Sequence, residues 1–377
     1  MASARIPDIR IPPDLLPADG RFGCGPSKVR TDALAALGAT GRAYMGTSHR
    51  QAPVRSMVGR MRTGLRDLFS LPDGYEVLVG DGGTTAFWDA ATFGLIAVRS
   101  QHLSFGEFSS KFANAAAAAP HLEAPQVIVA PAGTRPEPEA DPAVDLYAFT
   151  HNETSTGVMM DIRRLAGADG LVAVDATSAA GGLRVEPDEF DVYYFAPQKC
   201  FASDGGLWIA LCSPAAVERI SAIKASGRWI PAFFDLTVAL DNSRKDQTYN
   251  TPSLATVFLF VDQLEWMLAN GGLDWAAGRC DRSAERLYGW AEASPFATPF
   301  VSKPDERSHV VGTVDFDASV DAAAVAGALR ANGVVDTEPY RSLGRNQLRV
   351  GMFPAVDPED VAALTQCIDY VMEALAD

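Results

Sequence analysis

Two charged residues stand just beyond apolar runs. The run Leu171-Val172-Ala173-Val174 closes on Asp175, and Tyr193-Tyr194-Phe195-Ala196 leads through Pro197-Gln198 to Lys199, 24 positions after the aspartate. Four consecutive apolar residues mark a buried strand, and open α/β sheets hold their ligands at the carboxyl ends of the strands. An acid and an amine are thus presented to one site. A third run, Val77-Leu78-Val79, enters Gly80-Asp81-Gly82-Gly83-Thr84-Thr85. A strand that turns through glycines into a helix offers bare amides to a phosphate, with threonine hydroxyls to help. The turn lacks the last glycine of a dinucleotide fingerprint and the chain has no G-x-x-x-x-G-K-[ST], so a single phosphate fits better than a pyrophosphate. A phosphate cradle with an aspartate and a lysine at strand ends meets the needs of pyridoxal 5'-phosphate. The lysine forms the Schiff base, and the aspartate keeps the pyridine nitrogen protonated so that the ring accepts electrons from the substrate Cα.

The elements that must position these groups are legible in the hydrophobic pattern. Thr31–Leu37 and Val54–Phe69 carry apolar residues at helical spacing, broken by Gly38, Gly41 and Leu71-Pro72. Strand-like runs at 76–79, 126–130, 146–150, 171–174, 192–196 and 207–212 then alternate with helix-like stretches such as 86–98 and 214–223. That alternation predicts an α/β fold around a mostly parallel sheet. The segment 253–270 reads as a long helix ending at Gly271-Gly272. Beyond it, helix-like 274–292, strand-like 309–316, helix-like 321–332, strand-like 347–351 and helix-like 357–375 predict a smaller α+β unit. The expected organisation is an N-terminal arm over 1–20, a large domain over 21–262 and a small C-terminal domain over 263–377.

Composition narrows the function classes. The chain has 377 residues and a formal charge of −15 from 32 Lys and Arg against 47 Asp and Glu, which disfavours nucleic acid and anionic membrane as partners. A small anionic ligand remains open to it, provided that Arg and His gather locally. Five scattered cysteines without a C-x-x-C pair, and five dispersed histidines, suggest neither a disulfide framework nor a metal site. Cys200, beside Lys199, reads as a packed thiol. The first twenty residues hold four prolines with charges between them, unlike an export signal, and no run approaches a membrane span. A cytoplasmic protein is expected.

In order along the chain stand Cys24-Gly25-Pro26-Ser27, Gly46-Thr47-Ser48-His49-Arg50, Gly82-Gly83-Thr84-Thr85, Asn152-Glu153-Thr154-x-x-Gly157, Asp175-Ala176-Thr177-Ser178, Ala196-Pro197-Gln198-Lys199 and Tyr249-Asn250-Thr251-Pro252. With these the sequence resembles the fold-type I aminotransferases, and within them the phosphoserine aminotransferases of actinobacteria. The resemblance implies a large domain whose seven-stranded sheet is sandwiched by helices. It makes Lys199 the Schiff-base lysine and the carrier of the proton between Cα and the cofactor, and Asp175 the partner of the pyridine nitrogen. Gly83, Thr84 and Gln198 would hold the cofactor phosphate, and Thr154 would bond the phenolic oxygen. Asn250 and Thr251 would reach the phosphate of a neighbouring subunit, so a homodimer with shared active sites follows. The segment Glu107-Phe108-Ser109-Ser110-Lys111 puts Phe108 where many members stack Trp over the ring.

For substrate, the resemblance assigns His49 and Arg50 to binding, and Arg349 to the α-carboxylate through a bidentate fork. Tyr340 takes the place of a family His. Arg341 and Arg345 both precede Arg349, and either meets the substrate phosphate. The activity implied is transfer of the amino group of glutamate to 3-phosphooxypyruvate, giving O-phosphoserine and 2-oxoglutarate in serine biosynthesis, with 4-phosphohydroxythreonine, on the route to pyridoxine, as a related substrate. Alanine–glyoxylate or serine–pyruvate transamination and cysteine desulfuration are alternatives that keep the cofactor. A nicotinamide-dependent oxidoreductase is the alternative from another class, against which the broken glycine fingerprint counts.

Overall fold

A computed structural model describes residues 9–376, so the first eight positions of the expected arm lie outside the described residues. After α1 (Thr31–Ala39) and α2 (Ala52–Leu68) the chain enters β1 (Glu76–Asp81), α3 (Gly83–Gly94), β2 (Ser100–Ser104), α4 (Glu107–Ala118), β3 (Gln126–Val129) and β4 (Leu146–Thr150). A ribbon of β5 (Asn152–Glu153) and β6 (Val158–Met159) precedes β7 (Leu171–Asp175), β8 (Val192–Phe195) and β9 (Leu207–Cys212). Helices α5 (Pro214–Ala225), α6 (Leu236–Ser243), α7 (Leu254–Ala269) and α8 (Gly272–Ala293) follow. The chain ends in β10 (Ala297–Pro299), β11 (Val311–Phe316), α9 (Ala322–Ala331), β12 (Gln347–Gly351) and α10 (Pro358–Ala376).

The central sheet has seven strands in the order β1-β9-β8-β7-β4-β2-β3. Only β9 runs antiparallel to its neighbours β1 and β8; the other pairings are parallel. The sheet is therefore mostly parallel, as the sequence predicts. Its strands read as unbroken apolar runs because both faces are covered. Val77, Val79, Val172, Val174, Tyr193 and Phe195 point into one core with α2 and α7. Leu78, Ala173, Val192 and Tyr194 point into the other, with α3, α5 and α6. Each fully buried Val or Leu on these faces contributes about 1.5–3 kcal/mol. The adjacent strands β4, β7 and β8 end in register, with Thr150 opposite Asp175 and Asp175 opposite Tyr194. That alignment brings the acid and the lysine loop to one edge of the sheet.

The strand β2 has no apolar signature, yet all five of its residues are buried. Its polar side chains find partners instead: Ser100 Oγ meets His102 Nε2 at 2.9 Å, and Gln101 Nε2 donates to Gln126 Oε1 at 2.9 Å and to the Glu139 carbonyl at 2.7 Å. The short helix α6 was likewise not predicted; Asp235 caps it by accepting from Thr237 N.

The three-stranded antiparallel sheet β10-β11-β12 packs with α9 and α10 around a second core. Helix α8 serves both cores, with Ala276 and Cys280 in the larger and Ala284, Leu287 and Ala291 in the smaller. Ile11 and Phe22 also join the smaller core, and Gly351 N donates to the Phe22 carbonyl at 2.7 Å. Among the described residues no helix is long and apolar enough to cross a membrane.

Candidate active site

Asp175 closes β7 in a buried position, 5% exposed. Its Oδ1 accepts from Thr177 N at 2.9 Å and its Oδ2 from Trp88 Nε1 at 3.2 Å. Burial pushes its carboxyl up to about 6, opposed by those donors. At neutral pH it remains an anion.

Lys199 lies in the turn after β8 and is also buried. Its Nζ donates to the Cys24 carbonyl. The loop that supplies this carbonyl is tied to the lysine's own backbone: Ser27 N donates to the Gln198 carbonyl at 2.9 Å, and Ser27 Oγ to the Lys199 carbonyl at 2.6 Å. Between them Gly25 takes φ +136°, and a Cβ there would come within 2.2 Å of Lys199 Nζ. Only glycine permits so close an approach. Burial, with the charge of Arg349 adding to it, pushes the ammonium of Lys199 down to about 8.

The glycine turn predicted to cradle a phosphate lies where β1 runs into α3. Gly82 and Gly83 both have positive φ, +107° and +71°, and the space above Gly83 is open. Thr84 Oγ1 meets Thr177 Oγ1 at 2.8 Å, joining the cradle to the aspartate loop. Gln198 lines the cavity with a buried amide whose Oε1 has no partner among the described residues, and the NH₂ of that amide is the group able to donate to a phosphate. A cavity of about 410 Å³ connects Gly83 and Thr84 with Asp175, Gln198, Lys199 and Phe108. Phe108 forms one wall, its ring centroid 6.0 Å from Lys199 Nζ. Thr154 also lines it, with Oγ1 donating to Ser178 Oγ at 2.8 Å. An open cradle, an unpartnered polar atom and an acid opposite an amine fit pyridoxal phosphate.

Two contributors escape a reading of the sequence. Trp88 lies in an apolar helix and looks like core, yet its indole N–H reaches Asp175. Glu153 is fully buried under the first turn of α4. It accepts from Phe108 N at 3.1 Å, Ser109 N at 2.9 Å and Ser109 Oγ at 2.9 Å, and from Ser155 N and Oγ at 3.1 and 2.7 Å. A carboxylate at a helix N-terminus satisfies the free amides and the dipole together, and so fixes Phe108. The Asn152-Glu153-Thr154 motif was the signal.

The cations separate. Arg349, on β12, donates Nη1 to the Thr154 carbonyl at 3.1 Å, while its Nε is buried without a partner. The Nε–Nη2 edge is thus without a hydrogen-bond partner among the described residues. Arg345 does not face the cavity: Nε donates to Asp315 Oδ2 at 3.0 Å, and the guanidinium sits 4.5 Å from the centroid of Phe300. Arg341 is exposed on a single 3-10 turn and makes no ion pair among the described residues. His49 and Thr251 meet at 3.2 Å and Arg50 donates to Gln247 at 2.8 Å, so the 49–50 and 247–251 segments lie together, with Asn250 exposed between Tyr249 and Thr251. None of these residues lines the cavity within the chain. All five cysteines are free and buried, and burial pushes the thiol of Cys200 well up. His151 is held neutral by burial, its ring pushed down to about 3, and meets the Tyr193 hydroxyl at 3.0 Å.

The model of the aminotransferase class-V family matches residues 23–363. A phosphoserine aminotransferase of a Nocardioides species is 65% identical over 370 residues, covering 97% of this chain and 99% of its own. That of Rhodococcus jostii is 63% identical over 366 residues, 97% and 98% of the two chains. Among solved structures, the phosphoserine aminotransferase of Cytophaga hutchinsonii superposes with a TM-score of 0.85 at 24% identity, over 93% of this chain and 99% of that one. With a model that spans the site and relatives aligned over nearly their whole length, the chain belongs to the class-V aminotransferases, pyridoxal-phosphate-dependent enzymes, and within them to the phosphoserine aminotransferases.

Proposed function

We propose that this enzyme moves the amino group of glutamate to 3-phosphooxypyruvate, giving O-phosphoserine and 2-oxoglutarate. The observation that carries it is one buried lysine, pushed toward its free amine, facing a buried aspartate across a cavity whose wall residue Thr154 accepts a hydrogen bond from Arg349. The names of the close relatives point the same way. Pyridoxal phosphate, when bound, supplies an electron sink for the pair released as the Cα–H bond breaks. Lys199 would hold the cofactor as its Schiff base, and its amine, pushed toward the free form near neutral pH, would take the proton from the substrate Cα and return it. Asp175, ionised and braced by Trp88 and Thr177, holds the proton of the ring nitrogen. Gly83, Thr84 and Gln198 bind the cofactor phosphate, Thr154 the phenolic oxygen, and Phe108 the ring face. The unpartnered edge of Arg349 takes the substrate α-carboxylate.

For the second anion, the substrate phosphate, the free Arg341 is better suited than Arg345, which is committed to Asp315. A homodimer completes the site. His49, Arg50, Asn250 and Thr251 lie outside their own cavity, and Phe233 and Tyr249 expose apolar rings beside Gly82, at the mouth of the cradle. A second copy that covers those rings would bring the 49–50 and 250–251 segments to its partner's phosphates. The division into a cofactor domain over 21–262 and a closing domain over 263–377, a cytoplasmic setting for five unpaired thiols, and use of 4-phosphohydroxythreonine belong to the same reading.

An amino-acceptor assay with glutamate as donor tests it. The kcat/KM for 3-phosphooxypyruvate is expected to exceed that for pyruvate or glyoxylate by about 100-fold, since charge-assisted bonds to the phosphate contribute about 1.5–3 kcal/mol each. Equal rates with glyoxylate would assign the chain a different transamination.

A further inference from the structure

Arg349 belongs to the smaller sheet and Phe108 to a helix on the larger one; Phe108 lines the cavity, and Arg349 bonds the carbonyl of Thr154, which lines it too. One ring joins them. Tyr340 packs edge-on against Phe108, ring centroids 5.9 Å apart at 63°, and the Arg349 guanidinium carbon lies 5.1 Å from the Tyr340 centroid. The turn that follows is docked on the same helix end, with Ser342 Oγ donating to Glu107 Oε2 at 3.4 Å. Glu153 holds that helix end from below.

The Arg349 guanidinium makes a single hydrogen bond among the described residues, Nη1 to the Thr154 carbonyl. A guanidinium tied at one nitrogen pivots about that bond unless a surface fixes its plane. The only ring within cation–π reach of it is that of Tyr340, among the described residues. The charged groups that face Tyr340 are Glu107, Lys111, Arg349 and Glu153, and burial raises the phenol above its ordinary range, so the ring is neutral in the working pH range and acts through its face and edge.

We propose that Tyr340 is a positioning residue for Arg349: its face sets the guanidinium plane so that the Nε–Nη2 edge meets the substrate carboxylate, and its edge contact with Phe108 fixes that aim relative to Lys199. The proposal rests on the reading of Arg349 as the carboxylate partner.

Steady-state kinetics of the holoenzyme with glutamate as variable substrate test it, because glutamate has the carboxylate without the phosphate. Tyr340→Leu is expected to raise KM for glutamate about tenfold, the scale of one desolvated cation–π contact, with kcat within about threefold. Tyr340→Phe keeps KM within about twofold. In an Arg349→Ala background, Tyr340→Leu adds no further loss, since the residue acts through the arginine. Cofactor affinity, read by absorbance, and melting temperature stay unchanged in Tyr340→Leu. Independent, multiplying effects in the double variant, or a parallel fall in cofactor affinity and stability, would overturn the proposal. So would a wild-type KM in Tyr340→Leu while Arg349→Ala is impaired. A wild-type KM in Arg349→Ala would instead remove the assignment of Arg349, and the proposal with it.

Discussion

Replacing Lys199 by Met isolates the energetic cost of holding an amine in the cavity. Burial lowers the ammonium from 10.5 to about 8, so the folded chain binds fewer protons at this position than the unfolded chain does between those values. Raising pH through that window therefore favours the folded state. Below pH 8 the buried ammonium destabilises the cofactor-free protein by about 3 kcal/mol, 2.5 units at 1.36 kcal/mol each, and the cost is relieved as pH approaches 10.5. Met has no proton to lose. The stability difference between wild type and Lys199→Met should thus shift in favour of wild type by about 2–3 kcal/mol from pH 7 to pH 10. Comparison across pH cancels the constant loss of the donor to the Cys24 carbonyl. Urea denaturation of both cofactor-free proteins at a series of pH values measures it. Parallel profiles would refute the reasoning, because they would mean that burial does not depress the amine and that its reactivity has another source.

Glu153→Gln leaves amides of α4 facing an NH₂ group in a fully buried position, and is expected to cost about 2–3 kcal/mol in urea denaturation and to weaken cofactor binding through Phe108. A loss below about 0.5 kcal/mol would mean that the carboxylate does not hold the helix end. Gly25→Ala places a methyl against Lys199 Nζ and is expected to lower kcat about 100-fold, as for a displacement of reacting groups near 1 Å. The amount of cofactor fixed to Lys199 by borohydride should drop with it; full fixation would show that the loop yields at no cost.

The chemistry at the sheet edge was legible because it is local. Asp175 and Lys199 follow strands buried on both faces, and such strands are unbroken apolar runs whose ends are easily seen. The glycine turn at 82–83 was legible for the same reason, since positive φ demands glycine. The strand β2 was not, because its buried Ser, Gln and His are satisfied by partners distant in sequence, and no local pattern records that. Nor was the role of Glu153: its motif is visible, but a carboxylate that is wholly buried looks, in sequence, like one that is solvated.

By itself the sequence determined the cofactor class, the strand ends on which Asp175 and Lys199 stand, and the excess of acidic over basic residues. Tertiary structure decided which of the C-terminal arginines lies against a residue of the cavity wall. Arg341, Arg345 and Arg349 are equivalent as residue types, but β12 pairs with β11 in a register that carries Arg349 to the Thr154 carbonyl, while Arg345, four residues earlier, meets Asp315. The reason is physical: a guanidinium is set by whichever acceptor and ring lie within a few ångströms of it, and for Arg349 these come from Thr154, next to β5, and Tyr340, ahead of β12.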